Sequence, residues 1–205
     1  MDKRDAIHAH YDHRFSEENA NHKVLDWASA ASQRRRFEVL SENVDLRGLS
    51  ILDVGCGLGD LLMFLQQSSI EVQFTGVDIL DKMVEHCRER FDCGRFVQAD
   101  IFSDDIFSPG EFDLVFVSGA FNLDLGNNLE FLPIAIVRLM ELSRRYVAFN
   151  LLHARWPERE PGYFFYEPDF VLKQLAAHNV EVKLIDDYLP NDFTVVCEKK
   201  NTPAE

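Results

Sequence analysis

No stretch of the 205-residue chain approaches the ~20 consecutive apolar residues of a membrane helix. The opening residues, MDKRDAIHAHYDHRF, hold no apolar run of signal-peptide length. Both absences point to a cytoplasmic protein with no membrane partner. Cysteine is sparse: Cys56, Cys87, Cys93 and Cys197 lack any CxxC spacing and sit in apolar segments. They read as reduced thiols, which excludes a disulfide scaffold and a zinc module, and no metal is expected. Positive charge is also short, with 21 Lys and Arg against 35 Asp and Glu, a formal net charge of −14. A field of that sign repels phosphate backbones, so no nucleic-acid partner is expected. The one tight basic cluster, Arg34–Arg36, reads as a solvated helix face. What remains is an ordinary balance of 46% apolar and 27% charged residues, enough for one domain with a full-sized core.

Residues 1–44 lack strand signals, and Val24, Trp27, Ala28 and Ala31 keep helical spacing, which predicts two or three helices forming a cap. From residue 45 to 205 strands and helices alternate. ILDVG (51–55) is an apolar run ended by glycine, and Leu58, Leu61, Leu62 and Leu65 then mark one helix face. EVQFTGVD (71–78) and RFVQAD (95–100) read as strands, and FDLVFVSG (112–119) as a central strand buried on both faces. Leu132, Ile136, Leu139 and Met140 mark a helix, YVAFNLL (146–152) a strand, and Pro168 the first turn of another helix. VEVKLI (180–185) and DFTVVCEK (192–199) suit a closing antiparallel hairpin. The pattern predicts an α/β fold with a mostly parallel sheet and helices on both faces. Ligands on such sheets sit at the carboxyl ends of the strands, at the switch point.

The glycines of ILDVGCGLGD (51–60) stand there. A dinucleotide fold asks for GxGxxG or GxGxxA, with the pyrophosphate on the helix N-terminus. Here the sixth position is Asp60, and Asp53 adds a second carboxylate before the turn. Negative charge at that place suits a ligand carrying positive charge and no phosphate, as S-adenosylmethionine does. Asp78 follows one βαβ unit further on, and Asp100 ends the next strand.

These residues resemble the class I S-adenosylmethionine-dependent methyltransferases. LDVGCGLG matches the family's first motif, FTGVDIL its second, and FDLVFVSGAFN its fourth. The chain is also similar to a bacterial, small-molecule-type branch that shares SG-x-FN after the fourth strand and FN after the fifth. The resemblance implies a Rossmann-like seven-stranded sheet whose last strand is antiparallel, with an N-terminal helical cover. It implies S-adenosylmethionine as cofactor and S-adenosylhomocysteine as product. It assigns cofactor contacts to Tyr11, Asp53, Gly55, Cys56, Gly57, Gly59, Asp78, Ile79, Met83, Asp100, Ile101, Ser118 and Gly119.

On the acceptor side no (D/N)PPY tetrapeptide and no Pro-Cys pair occur, which disfavours an adenine or glutamine amide nitrogen and attack on pyrimidine C5. Asn122 and Asn150 stand at strand ends and can orient a substrate or cap a loop. His13 and His153 are general-base candidates with Asn122 as the third catalytic candidate, and surface histidines are the plainer reading. GYFFYEP (162–168) reads either as a lid over the acceptor or as core packing, and Arg35 or Arg36 could reach the cofactor carboxylate. The expected activity is methyl transfer to a small molecule. A protein acceptor, a non-catalytic cofactor-binding subunit and a nucleotide-dependent oxidoreductase are the rivals.

Overall fold

A computed structural model describes residues 3–11, 14 and 20–200. Three helices precede the sheet: α1 (Lys3–Tyr11), α2 (Asn21–Val24) and α3 (Ala30–Asn43). Ser29 starts α3 with a capping box, its hydroxyl accepting the Ser32 N–H at 3.0 Å while the Ser32 hydroxyl accepts the Ser29 N–H at 3.2 Å. The alternating part then runs β1 (Ser50–Val54), α4 (Asp60–Gln67), β2 (Gln73–Asp78), α5 (Asp81–Arg90), β3 (Arg95–Gln98) and β4 (Phe112–Ser118). It continues α6 (Asn128–Leu142), β5 (Ser143–Leu152), α7 (Pro168–Leu175), β6 (Val180–Ile185) and β7 (Asp192–Lys199).

The strands form one seven-stranded sheet in the order β3-β2-β1-β4-β5-β7-β6. β1 to β5 pair in parallel, and β7 is antiparallel to both β5 and β6. The last strand is antiparallel and the closing hairpin lies at one end of the sheet, as the sequence pattern predicts, with β7 one place in and β6 at the edge. The alternating burial of β6 suits an edge, while β7 is buried through its first six residues.

Strand periodicity sorts the side chains into two layers. Leu52, Val54, Val115, Val117, Val147 and Phe149 face α6 and α7, with Leu132, Ile136, Leu139, Val171 and Leu175 closing that core. Ile51, Leu114, Phe116 and Ala148 face the other way, against Phe37 and Leu40 of α3, Leu61 and Leu65 of α4, and Val84 and Cys87 of α5. A third small cluster, Val24, Leu58, Leu80 and Met83, lies where the N-terminal helices meet the carboxyl ends of the strands. No helix among the described residues is long and apolar enough to cross a membrane.

Candidate active site

The strand order reverses between β1 and β4, and the loops leaving these two strands touch. A Cβ built on Gly55 would stand 2.8 Å from Ala120 Cβ, so this approach requires glycine. Gly55, Gly57 and Gly59 all hold positive φ, a region that disfavours side chains. The turn is hydrogen-bonded from within. Gly55 N donates to Val77 O at 2.8 Å, Gly59 N to Cys56 O at 3.0 Å, and Gly57 N to Asp78 Oδ2 at 2.9 Å. Leu80 N donates to Asp78 Oδ1 at 3.0 Å. Asp78 thus accepts the Gly57 and Leu80 amides, with the Ile79 amide a further backbone donor, and keeps acceptor capacity for a ligand.

A cavity of about 340 Å³ opens at the carboxyl ends of β1 to β4, a size suited to a small-molecule ligand. Twelve of the thirteen expected cofactor contacts line it: Tyr11, Asp53, Gly55, Cys56, Gly57, Asp78, Ile79, Met83, Asp100, Ile101, Ser118 and Gly119. Gly59 does not. Its Cα faces the Phe91 ring and the Cys87 sulfur, where a Cβ would approach within 2.5 Å and 3.2 Å, so this glycine serves the seating of α4 on α5. Met83 is core and lining at once, 2% exposed within the third cluster.

Asp53, Asp78 and Asp100 are 4%, 9% and 7% exposed, which puts three carboxyls on one wall with little water to solvate them. Burial, then the neighbouring Asp78 and Asp60, push the Asp53 carboxyl up to about 8. Burial also raises Asp78, against the pull of the Leu80 and Gly57 amides. Asp100 accepts from Phe102 N at 3.1 Å and Ser103 Oγ at 3.2 Å, and Arg4 Nε lies 4.0 Å away. Burial beside Asp78 and Asp26 raises the Tyr11 phenol far above its ordinary range, so it stays protonated.

The N-terminal helices are seated by polar and steric contacts that the sequence pattern left unread. Asp60 is their anchor: its Oδ2 accepts from Gln33 Nε2 at 2.9 Å and its Oδ1 from Asn21 Nδ2. Leu25 and Trp27 press onto two of the loop glycines, and a Cβ would meet Leu25 at 2.7 Å on Gly57 and Trp27 at 2.5 Å on Gly119. Arg36 stacks on the Trp27 ring at 4.4 Å and pairs with Asp192, both buried. Arg36 therefore lines the cavity with its guanidinium already engaged, while Arg35 holds Glu38 and Glu42 at the surface.

On the acceptor side Asn122 lines the cavity. Its Oδ1 accepts Leu152 N at 3.2 Å. A backbone N–H only donates, so that oxygen is fixed, and the amide nitrogen has no partner among the described residues. His153 does not line the cavity. Its Nδ1 accepts from Arg155 N at 3.1 Å, its ring packs on Phe193, and burial and Arg155 lower its basicity. The β7 insertion puts Phe193 beside it, so the expected general-base role falls away. His13 lies outside the described residues. Asn150 is fully buried, outside the lining, and donates to Ser118 Oγ at 3.0 Å, the neighbour that the β4–β5 register provides. Its Oδ1 has no partner among the described residues.

The aromatic segment 162–168 answers both readings by alternating. Tyr163 and Phe165 line the cavity, while Phe164 packs on the core. Tyr166 does both, its hydroxyl donating to Phe121 O at 2.9 Å. Tyr163 donates to Asp26, which also holds Arg14 Nη2 at 2.9 Å and His10 Nε2 at 3.2 Å. This knot ties α1 and the turn after α2 to the segment following β5. Trp156, Glu158 and Glu160 complete that end of the cavity, and no motif marked them.

Residues 51–133 match the model of a family described as a methyltransferase domain. The chain is 31% identical over 107 residues to a malonyl-[acyl-carrier protein] O-methyltransferase of Acetivibrio thermocellus, covering 50% of this chain and 38% of that protein. It is 31% identical over 111 residues to a protein-lysine N-methyltransferase of Saccharomyces cerevisiae, covering 51% of this chain and 44% of that one. It thus spans less than half the length of either relative. In fold it is similar to the magnesium protoporphyrin IX methyltransferase of Synechocystis with bound S-adenosylhomocysteine, at 15% identity and a TM-score of 0.69, covering 96% of this chain and 98% of that one. Residues 51–133, which hold the glycine turn and its carboxylates, are thus similar to a methyltransferase domain, and the seven-stranded sheet shares the fold of the Synechocystis enzyme.

Proposed function

We propose that the protein binds S-adenosylmethionine across the ends of β1 to β4 and transfers its methyl group to a small-molecule acceptor. One observation carries the reading: three buried carboxyls, Asp53, Asp78 and Asp100, end successive stretches of the sheet around a glycine turn whose cavity accepts positive charge. When bound, the cofactor supplies a methyl carbon already activated by its sulfonium. Asp53 would face the ligand's positive charge. Asp78 would hold the ribose hydroxyls with its remaining lone pairs. Asp100 and the Ile101 backbone would face the adenine amino group, with Ile79 and Met83 against the ring, and Ser118 and Gly119 would flank the amino-acid end.

Positioning and the exclusion of water do most of the work in such a transfer. Trp27, Leu25 and Tyr11 close the N-terminal helices over the turn. Asn122 presents its amide nitrogen to the acceptor, and Asn150 sets the Ser118 hydroxyl behind it. Support for a small acceptor is the way the N-terminal helices and the 162–166 segment meet through Asp26 and Tyr163 around a cavity of modest volume.

The test is incubation of the protein with methyl-tritiated S-adenosylmethionine and a cell extract separated into metabolites and macromolecules. Label in the metabolite fraction is expected. Label in the protein fraction would overturn the acceptor class, and no transfer to either would overturn the activity.

A further inference from the structure

Resting on the methyl-transfer reading, we infer that the acceptor is a small amine that enters as a cation. Besides the carboxyls Asp53, Asp60, Asp78 and Asp100, the acidic groups among the described residues lining the cavity are Asp26, Glu158 and Glu160. Arg36 is the one cation lining the cavity among the described residues, and Asp192 engages it. Asp26 is already matched by Arg14 and His10. Glu158 and Glu160 are exposed at the mouth and carry no ion pair among the described residues. Trp156, Tyr163 and Phe165 line the same cavity, rings whose faces attract cations. The outer face of Phe165 already takes one, the Arg159 guanidinium at 5.6 Å from the ring centre.

Acidic residues at a mouth do not make a site by themselves. The second observation is Asn122, 4% exposed, whose side-chain amide nitrogen has no partner among the described residues although it lines the cavity. That nitrogen belongs to a residue lining the cavity and can donate to an oxygen of the ligand. Backbone pairing fixes it beside the aromatic segment: Phe164 N donates to Asn122 O at 2.8 Å and Asp124 N to Gly162 O at 2.9 Å. The combination fits an amine that also bears a hydroxyl or carbonyl oxygen. An anionic acceptor would meet the carboxylates of Glu158 and Glu160, and the one cation lining the cavity among the described residues, Arg36, is already engaged. Transfer to such an amine forms a nitrogen–carbon bond as the carbon–sulfur bond breaks. Before the attack the ammonium gives one proton to a mouth carboxylate or water, which frees the nitrogen lone pair for the methyl carbon, and the departing sulfur keeps the electron pair of the broken bond.

The experiment has two stages. Calorimetric titration with S-adenosylhomocysteine comes first, and failure there removes the methyl-transfer reading and this inference with it. The loaded protein is then screened by saturation-transfer NMR against small amines, alcohols and carboxylates matched in size. The inference expects amines to dominate the binders. It expects the double variant E158Q/E160Q to weaken amines by about fivefold or more while leaving S-adenosylhomocysteine affinity unchanged. Equal or better binding of alcohols or carboxylates, no amine binder at all, or an unchanged double variant would each overturn it while leaving the cofactor reading intact.

Discussion

Asp53 makes cofactor binding depend on pH in a direction that can be worked out beforehand. Its carboxyl is 4% exposed and lies near Asp78 and Asp60, which together with burial lift it to about 8. The ordinary aspartate value is ~3.9, so near neutrality the free protein carries this side chain mostly protonated. A cationic ligand placed against it favours the ionised form, and binding therefore releases a proton. Affinity must rise as pH rises toward 8 and level off above. With one proton released, the dissociation constant of S-adenosylmethionine should fall about 50-fold between pH 6 and pH 8. The ligand's own amino group titrates in the same range. Asp53→Asn removes the protein's share and keeps the ligand's, so the difference between the two slopes isolates Asp53. Calorimetry in two buffers of different ionisation enthalpy counts the proton directly. Parallel slopes for the two proteins, or tighter binding by the native protein at pH 6, would refute the reasoning. A stability effect comes with it. The raised carboxyl binds a proton in the fold that the unfolded chain has lost above pH 4, so this group lowers stability as pH rises from 4 to 8. Thermal melts of Asp53→Asn against the native protein should separate increasingly over that window, with the variant the more stable.

Asp78→Ala should weaken cofactor binding by ~1–3 kcal/mol and lower the melting temperature as well, because the Gly57 and Leu80 amides lose their acceptor. Titration and a melt read the two effects separately. Removing one side of the buried Arg36–Asp192 pair leaves an uncompensated charge, so Arg36→Met should cost ~3–5 kcal/mol in denaturant unfolding, and adding Asp192→Leu should recover much of it. Gly119→Ala should unseat Trp27, since φ is +81° and the new Cβ would stand 2.5 Å from the indole. Cofactor affinity should fall, and Trp27 fluorescence should shift toward that of an exposed indole. His153→Ala should leave the pH profile of turnover unchanged, because the ring lies outside the cavity.

The sheet and the cofactor wall were legible because both are written locally. A buried parallel strand is a continuous apolar run, and a strand-to-helix turn that must approach a neighbour is a glycine. What such a signal does not carry is the identity of that neighbour. Gly55, Gly57 and Gly59 look alike in the chain, yet one meets Ala120, one Leu25 and one Phe91. The place of His153 depends on β7 inserting beside β5, which brings Phe193 to it from forty positions further along. The Arg36–Asp192 and Asp26–Tyr163 links join segments distant in sequence, and no periodicity encodes them. Asp60 read correctly as a carboxylate in the first turn of α4, but its partners, Gln33 and Asn21, came from the cover. In GYFFYEP two readings competed because a strand-like alternation inside a loop satisfies both.

The measurement that tests the central claim most directly is calorimetric titration of the purified protein with S-adenosylmethionine and S-adenosylhomocysteine, with NAD as the control. One-to-one binding of the first two and none of NAD is the predicted result. Binding of NAD, or of neither sulfur compound, would contradict the assignment of the glycine turn and its carboxyls.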